Sequence, residues 1–356
     1  MPKKFPIAEN PFHLKVLACK FLAKTVIIFL LISCSHNYKS KNPITNITKI
    51  AIPSATTATG KIEITYTDFV WLPDNRLALS SGIGVMVYSL NLTGIEPQAN
   101  PQSMTLAIGK TQSMLTASPS GLQLAWVESE NSAYVWDTSG GKNAEKLTAN
   151  ENPLTGLAFD FTDRRLVLSS YNGDVSIWDL MEKRKIVSWQ SGTWLSDLSV
   201  SPDGKNIAGA DLSGFKVMIF TPDGNFVREL EWVDSASPSL YAAVFSPDWS
   251  RLAWVAREVV QIMDAGTGNL GPQFIHEDFV AAYSWSPDSK RFVSVSTSLN
   301  QGRLVNKAFL WDTNSGVLTD SLILESPIQS LSFSPDSSNL ALLTSEGNLL
   351  IWRFNK

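Results

Sequence analysis

The stretch Leu154–Trp189 decides the fold, and its sequence is LTGLAFDFTDRRLVLSSYNGDVSIWDLMEKRKIVSW. It divides into four segments of strand length separated by turn residues: LTGLAF, RLVLSS, DVSIWDL and KRKIVSW. The third segment alternates apolar with polar residues, which is the period of a half-buried strand. The fourth is the most polar, which suits an outer edge. Because one such unit is too small to bury both faces of its sheet, it predicts neighbouring copies of itself.

The chain contains further copies of this unit, each anchored on the apolar residue that ends its first strand. Successive anchors lie 40 to 48 residues apart and are Trp71, Ala117, Phe159, Val200, Phe245, Trp285 and Phe333. A Ser-Pro-Asp turn follows the anchor in four repeats, at residues 201–203, 246–248, 286–288 and 334–336. Proline presets the backbone for a turn, and serine and aspartate bond their own backbone there. The third strand ends in Trp-Asp at residues 136–137, 178–179 and 311–312, and Trp352 takes the same place in the last repeat.

These landmarks resemble those of the WD-repeat family of β-propellers, whose blades have this length. The resemblance implies an all-β fold, a seven-bladed β-propeller of four-stranded antiparallel blades over residues 46–356. The Gly-His pair that opens many repeats of that family is missing from all seven repeats. The resemblance therefore implies that the histidine-centred hydrogen-bond network of many members is absent.

The last repeat stops after its third strand, at Trp352–Phe354, and so lacks a fourth strand. An open strand edge is an aggregation hazard. The WD-repeat family closes its ring by lending an N-terminal strand to the last blade. We predict that Ile47–Ile52 has this role, with Lys61–Thr65 as the alternative.

Residues 1–33 are predicted to be a lipoprotein signal peptide. Five lysines precede or border the apolar run Thr25–Ser33, which is too short to span a bilayer. The run leads into Leu31-Ile32-Ser33-Cys34, which resembles the lipobox of bacterial lipoproteins, whose cysteine receives a diacylglyceryl group. We therefore expect lipid attachment at Cys34, a tether over residues 34–45, and a mature protein anchored at the extracytoplasmic side of a cell membrane. The alternatives are an uncleaved anchor and a chance cysteine.

Charge and residue counts exclude several kinds of site. The net charge is −4, and because the first 33 residues carry +4 the remainder carries −8, which argues against a nucleic-acid partner. Cys19 and Cys34 are the only cysteines, and His276 is the only histidine within the repeats, so a thiolate or imidazole metal site cannot be assembled there. The chain also has no G-x-S-x-G elbow and no phosphate loop. We predict no enzymatic activity, no cofactor and no metal.

The function that these observations favour is a membrane-anchored protein-interaction scaffold whose protein partners are unidentified. One alternative is an envelope accessory propeller similar to the Tol-system periplasmic protein. Another is an enzyme with a site at the central opening, since paired-carboxylate chemistry occurs on some propellers.

The candidate partner-binding face is formed by the connections that join each outer strand to the next repeat. These connections are acidic and carry aromatic residues, a combination that suits recognition because aromatic side chains supply binding energy and charges supply steering. The candidate residues are Trp194, Trp232, Asp234, Glu277, Asp278 and Phe279. The alternative is that the rings cap the blade cores and the acids are merely solvated. The longest insertion, Ser298–Lys307, is predicted to be a loop in the sixth repeat and is a second candidate surface.

Overall fold

The computed structural model describes residues 47–50, 56–57, 60–61, 66–81, 84–91, 98–105, 112–128, 131–139, 144–148, 152–232, 240–300 and 303–354. These residues form thirty strands and no helix. None of them therefore belongs to a helix with the length and apolar character that a membrane crossing needs. The predicted signal peptide and tether, Cys34 included, lie outside the described residues.

The strands form seven four-stranded antiparallel sheets and one small hairpin, in chain order. Three short strands come first: β1 (Ile47–Ile50), β2 (Thr56–Thr57) and β3 (Gly60–Lys61). The first blade contains β4 (Tyr66–Trp71), β5 (Arg76–Ser81), β6 (Gly84–Asn91) and β7 (Gln98–Thr105). The second contains β8 (Gln112–Ala117), β9 (Gln123–Glu128), β10 (Ser132–Asp137) and β11 (Glu145–Thr148). The third contains β12 (Leu154–Phe159), β13 (Arg165–Ser170), β14 (Asp174–Asp179) and β15 (Arg184–Gln190).

The remaining blades follow the same order. The fourth contains β16 (Ser196–Val200), β17 (Ile207–Asp211), β18 (Lys216–Phe220) and β19 (Phe226–Glu231). The fifth contains β20 (Leu240–Phe245), β21 (Arg251–Ala256), β22 (Val259–Asp264) and β23 (Leu270–Ile275). The sixth contains β24 (Phe279–Trp285), β25 (Arg291–Asn300), β26 (Arg303–Asp312) and β27 (Leu318–Leu324). The seventh contains β28 (Ile328–Phe333), β29 (Asn339–Thr344) and β30 (Leu349–Arg353), together with β1. The predicted seven-bladed β-propeller is confirmed.

The described residues form seven hydrophobic core clusters, one at each junction between successive blades. The second strands show how the sequence produces this arrangement. In β13, Leu166 and Leu168 pack towards the second blade, whereas Val167 packs towards the fourth. Because successive side chains of a strand point to opposite faces, a strand buried on both faces must be apolar at nearly every position. This requirement explains the run RLVLSS.

The ring is closed by β1, as predicted for the segment Ile47–Ile52. Strand β1 pairs antiparallel with β30, with Ile47 opposite Trp352 and Ile50 opposite Leu349. It thus supplies the fourth strand that the last repeat lacks. Residues 51–52 lie outside the described residues. The alternative segment, Lys61–Thr65, does not have this role at its described end, because Lys61 pairs with Thr56 in the hairpin of β2 and β3.

The turns between the first and second strands are built alike in all seven blades. The fourth residue after each anchor has a left-handed backbone, and these residues are Asn75, Gly121, Asp163, Gly204, Trp249, Ser289 and Ser337. In the four Ser-Pro-Asp turns the serine hydroxyl donates to the aspartate, as in Ser246–Asp248 at 2.6 Å. The turns also link neighbouring blades, since the Asp248 backbone N–H donates to Ser289 Oγ at 3.1 Å. The repeated aspartates therefore serve turn formation, as the sequence predicted.

Two glycines of the fourth blade have a left-handed backbone, but only one of them lies close to a side chain of another blade. Gly204 and Gly224 both have positive φ, +68° and +87°. A Cβ on Gly204 would meet nothing within 4 Å, whereas a Cβ on Gly224 would lie 2.8 Å from Trp189 Cγ in the outer strand of the third blade. Gly224 therefore also allows two blades to approach closely.

We predict that Gly224→Ala destabilises the protein more than Gly204→Ala does. Gly204→Ala should cost about 1–2 kcal/mol, because an L-residue in the left-handed region is strained. Gly224→Ala should cost about 1–3 kcal/mol more, because Trp189 must move out of its packed position. Urea unfolding of both variants measures the difference. Equal free energies of unfolding would show that the contact with Trp189 contributes nothing.

Candidate functional site

The two ends of the propeller differ in what they carry. One end, here called the turn face, contains the turns between first and second strands and between third and fourth strands. The other end, here called the loop face, contains the turns between second and third strands and the connections between blades. Of the candidate residues, Trp194, Trp232, Glu277, Asp278 and Phe279 lie in these connections or at their ends, on the loop face. Asp234 lies outside the described residues.

Trp194 lies half-buried in the connection before β16. Its ring stacks on Tyr171, in the turn between β13 and β14, with centroids 6.4 Å apart and planes 22° apart. Both rings belong to the loop face and retain exposed surface. Trp194 is therefore positioned by a neighbouring aromatic side chain and not by enclosure in a blade core.

Trp232 directly follows β19 and is more closely tied to the core. Its ring packs against the fully buried Trp254, with centroids 5.8 Å apart, and it borders the cluster between the fourth and fifth blades. Trp232 therefore caps a blade junction, which was the alternative considered from the sequence. Its backbone N–H donates to the carbonyl of Phe215 at 2.8 Å.

Phe279 begins β24 and contacts a residue that sequence reasoning missed. Its ring meets Tyr241 edge-to-face, with centroids 4.8 Å apart and planes 75° apart. Both side chains are half-buried. Tyr241 comes from β20 of the fifth blade, so the pair spans the junction between the fifth and sixth blades.

Tyr241 lies in a bulge of β20, and the first strand of every blade contains a bulge of this kind. In each first strand the pairing with the second strand shifts register within the five residues before the anchor. A bulge leaves a residue unpaired and redirects its side chain. First strands run from the loop face to the turn face, so these bulges lie near the loop-face mouth of the ring. The place of Tyr241 before the anchor Phe245 could have indicated a bulge, but it gives no sign of the contact with Phe279.

Phe215 is a second aromatic residue that the sequence did not single out. It lies in the turn before β18, is 38% exposed and has a φ of 55°. A bulky residue with a left-handed backbone is an outlier that costs free energy and persists only where the surrounding structure enforces it. The Asp211 carboxylate holds this turn by accepting hydrogen bonds from the backbone N–H groups of Ser213 and Gly214.

The acidic candidates have different surroundings. Glu277 is exposed, and its Oε2 lies 3.6 Å from Lys307 Nζ. Asp278 is half-buried, and burial is the main cause that raises the pKa of its carboxyl, followed by the charge of Glu277. The structure thus brings Glu277, Asp278 and Phe279 together with Tyr241. It does not bring them into contact with Trp194, whose ring partner is Tyr171.

The insertion Ser298–Lys307 is not the loop predicted from the sequence. Strands β25 and β26 stay paired through it, with Ser298 opposite Val305 and Asn300 opposite Arg303. The prediction was wrong because chain length alone does not distinguish a loop from a longer hairpin. The pairing extends as far as Asn300 and Arg303, and residues 301–302 between them lie outside the described residues.

The expectation that the histidine-centred network is absent was wrong for the sixth blade. His276 is buried, and its Nε2 lies 2.6 Å from Ser294 Oγ. The Trp311 indole N–H donates to the same hydroxyl at 2.8 Å. We assign Nε2 as the acceptor of the serine proton, and Nδ1 faces the Glu258 carbonyl at 3.3 Å. The prediction failed because it relied on the Gly-His pair, whereas the network requires only the histidine at this place. Ile275 stands where the pair has glycine, and His276 still reaches Ser294.

No group of His, Cys, Asp and Glu side chains suited to a metal ion occurs in the part of the chain that the structure describes.

We predict that His276 makes stability depend on pH between 6.5 and 4. Burial lowers the pKa of His276 to about 4, from 6.5. As pH falls through this window the unfolded chain binds a proton that the folded chain does not, so stability falls by about 3 kcal/mol. Chemical unfolding at a series of pH values, compared with His276→Gln, isolates this effect because the other groups titrate in both proteins. Parallel stability profiles for the two proteins would contradict it.

Comparisons with known proteins agree with the fold. Residues 141–179 match the family described as WD domain, G-beta repeat. Periodic tryptophan protein 2 of Arabidopsis thaliana is 23% identical over 209 residues, which is 57% of this chain and 22% of that protein. The periodic tryptophan protein 2 homolog of Schizosaccharomyces pombe is 29% identical over 105 residues, 29% of this chain and 12% of that protein. The alignments thus span less than a quarter of each relative. The matched repeat, these two relatives and the seven-bladed ring together support a WD-repeat β-propeller for this chain.

Proposed function

We propose that the protein is a protein-interaction scaffold that binds partners through its loop face. The observation that carries the proposal is the set of aromatic side chains that retain exposed surface there: Tyr171, Trp194, Phe215, Tyr241 and Phe279. Exposed aromatic residues on a rigid frame supply much of the binding energy in protein interfaces. The WD-repeat fold is consistent with this role.

Three exposed phenylalanines allow the faces to be compared directly. Phe215 lies on the loop face and is 38% exposed, Phe161 lies on the turn face and is 45% exposed, and Phe226 lies on an outer strand and is 54% exposed. Replacing each by the photoreactive analogue p-benzoylphenylalanine therefore places the same probe on three surfaces of similar exposure. The Phe215 probe is the least exposed of the three, so a stronger reaction there cannot be caused by accessibility.

We predict that irradiation of cells carrying these probes gives discrete cross-linked adducts at position 215 and few at positions 161 and 226. Gel electrophoresis and mass spectrometry of the purified protein measure the adducts. Retained melting temperature of each variant is the control for folding. Adducts that form equally at all three positions, or mainly at position 226, would contradict a loop-face partner site.

We further propose that the scaffold is lipid-anchored through Cys34 at the extracytoplasmic side of a cell membrane. The sequence Leu31-Ile32-Ser33-Cys34 after a short apolar run supports this proposal. Burial of acyl chains is favourable by about 0.8 kcal/mol per CH₂, and two chains give stable attachment.

Cys34→Ala should abolish incorporation of labelled palmitate and leave an unprocessed precursor, because the thiol is the predicted acceptor of the lipid. Cys19→Ala is the matched control, since Cys19 lies within the predicted signal peptide and should not affect labelling. Equal labelling of the wild type and the Cys34→Ala protein would refute the anchor.

A further inference from the structure

The junction between the fifth and sixth blades combines aromatic and acidic side chains at the loop face. We call the residues Tyr241, Asp278 and Phe279 the junction surface. The two rings meet edge-to-face at 4.8 Å, and all three side chains are half-buried, so each also keeps a part exposed to solvent. Strand bulging in β20 and the start of β24 bring the rings together from two blades.

The charges around the junction surface leave one carboxylate without an ionic partner. Glu277 pairs with Lys307 at 3.6 Å, and Glu258 pairs with Arg257 at 3.5 Å. Within the described part of the chain, no lysine or arginine nitrogen lies within 4 Å of the Asp278 carboxylate, since no ion pair of this residue occurs there. These three acids and two cations have a net charge of −1, and Lys307 acts on the Asp278 carboxylate as well as on its partner Glu277.

Burial and neighbouring charges together determine the surroundings of the Asp278 carboxyl. Burial is the largest cause that raises the pKa of its carboxyl, and the charge of Glu277 raises it further. Lys307 and Ser298 lower this pKa, and Glu258 makes the smallest of these contributions, which raises it. The Asp278 carboxyl therefore lies in surroundings that disfavour its charged form. An opposite charge brought to this carboxylate removes that penalty.

We infer that the junction surface binds a lysine or arginine side chain of a protein partner. The cationic group would meet the Asp278 carboxylate, and its aliphatic stem would lie on Tyr241 and Phe279, because long cationic side chains pack their methylenes on apolar surface and their charge favours aromatic faces. This inference rests on the proposed function of the loop face and specifies the chemistry of the partner. Anionic partners, including nucleic acid, are disfavoured by the same charge.

The test uses the full-length protein and two peptides of equal length, a lysine–glycine repeat and a glutamate–glycine repeat. Binding is measured by calorimetry at low ionic strength, because salt screens exposed charges. The variants are Asp278→Asn, which keeps shape and removes charge, and Phe279→Leu, which keeps apolar volume and removes the ring. Asp320→Asn is the matched control, since Asp320 is exposed on the outer strand β27 of the same blade.

We expect the lysine peptide to bind and the glutamate peptide not to bind. Asp278→Asn should weaken the lysine peptide about fivefold, Phe279→Leu about two- to fivefold, and Asp320→Asn should have no effect. Absence of binding by the lysine peptide, an unchanged dissociation constant in Asp278→Asn, or an equal loss in Asp320→Asn would overturn the inference. Asp278→Asn decides the question if Phe279→Leu fails to fold.

The photo-crosslinking experiment separates this inference from the function on which it rests. Adducts at position 215 together with unchanged peptide binding in Asp278→Asn would refute the cation site and leave the scaffold role standing. Peptide binding that depends on Asp278, without adducts at position 215, would support the cation site and refute the broader partner surface.

Discussion

The structure depends on the burial of apolar side chains between blades. In the part of the chain that the structure describes, no blade has a core of its own, because alternate residues of one strand belong to the clusters on its two sides, as Val167 and Leu168 show. The largest fully buried side chains, such as Trp126 and Trp254, lie in these shared clusters. Each blade is therefore stable only with both neighbours in place, which ties the stability of every blade to closure of the ring. Strand β1 meets that requirement because it completes the sheet that would otherwise end in an open edge.

The same constraint leaves the two faces with different properties. On the turn face, the turns between first and second strands share one conformation, and turns of neighbouring blades are linked, as in the hydrogen bond from Asp248 to Ser289. Such turns leave little freedom for side chains to vary. On the loop face the connections differ in length and composition, and they display aromatic and acidic side chains. The loop face therefore suits the proposed recognition, because rigid blades position segments there that differ from blade to blade.

The parts of the fold that could be predicted from sequence were those fixed by local chemistry. The segments LTGLAF and RLVLSS coincide with β12 and β13 because burial on two faces demands apolar runs. The missing fourth strand of the last repeat, together with the resemblance to WD-repeat propellers, predicted an N-terminal closing strand, and the structure assigns that role to β1 and not to the alternative at Lys61. The features that sequence reasoning missed depend on contacts between residues that are distant in the sequence. Neither the bond of His276 to Ser294, 18 residues away, nor the contact of Tyr241 with Phe279 from another blade has a local signal. The prediction of a loop at Ser298–Lys307 was wrong because a polar hairpin and a loop have similar composition.

His276 and Asp278 lie two residues apart, and the buried histidine helps to position the partly exposed aspartate. His276 is held by Ser294 on one side, and its backbone N–H donates to the Glu258 carbonyl at 2.8 Å. Beyond it, the backbone N–H of Val280 donates to the Arg257 carbonyl at 2.9 Å. The connection that carries Asp278 and Phe279 is thus fixed at both ends before any partner arrives. A surface positioned in advance loses little conformational entropy on binding. The buried histidine network therefore fixes the position of Asp278 and Phe279, the residues that we propose meet a partner.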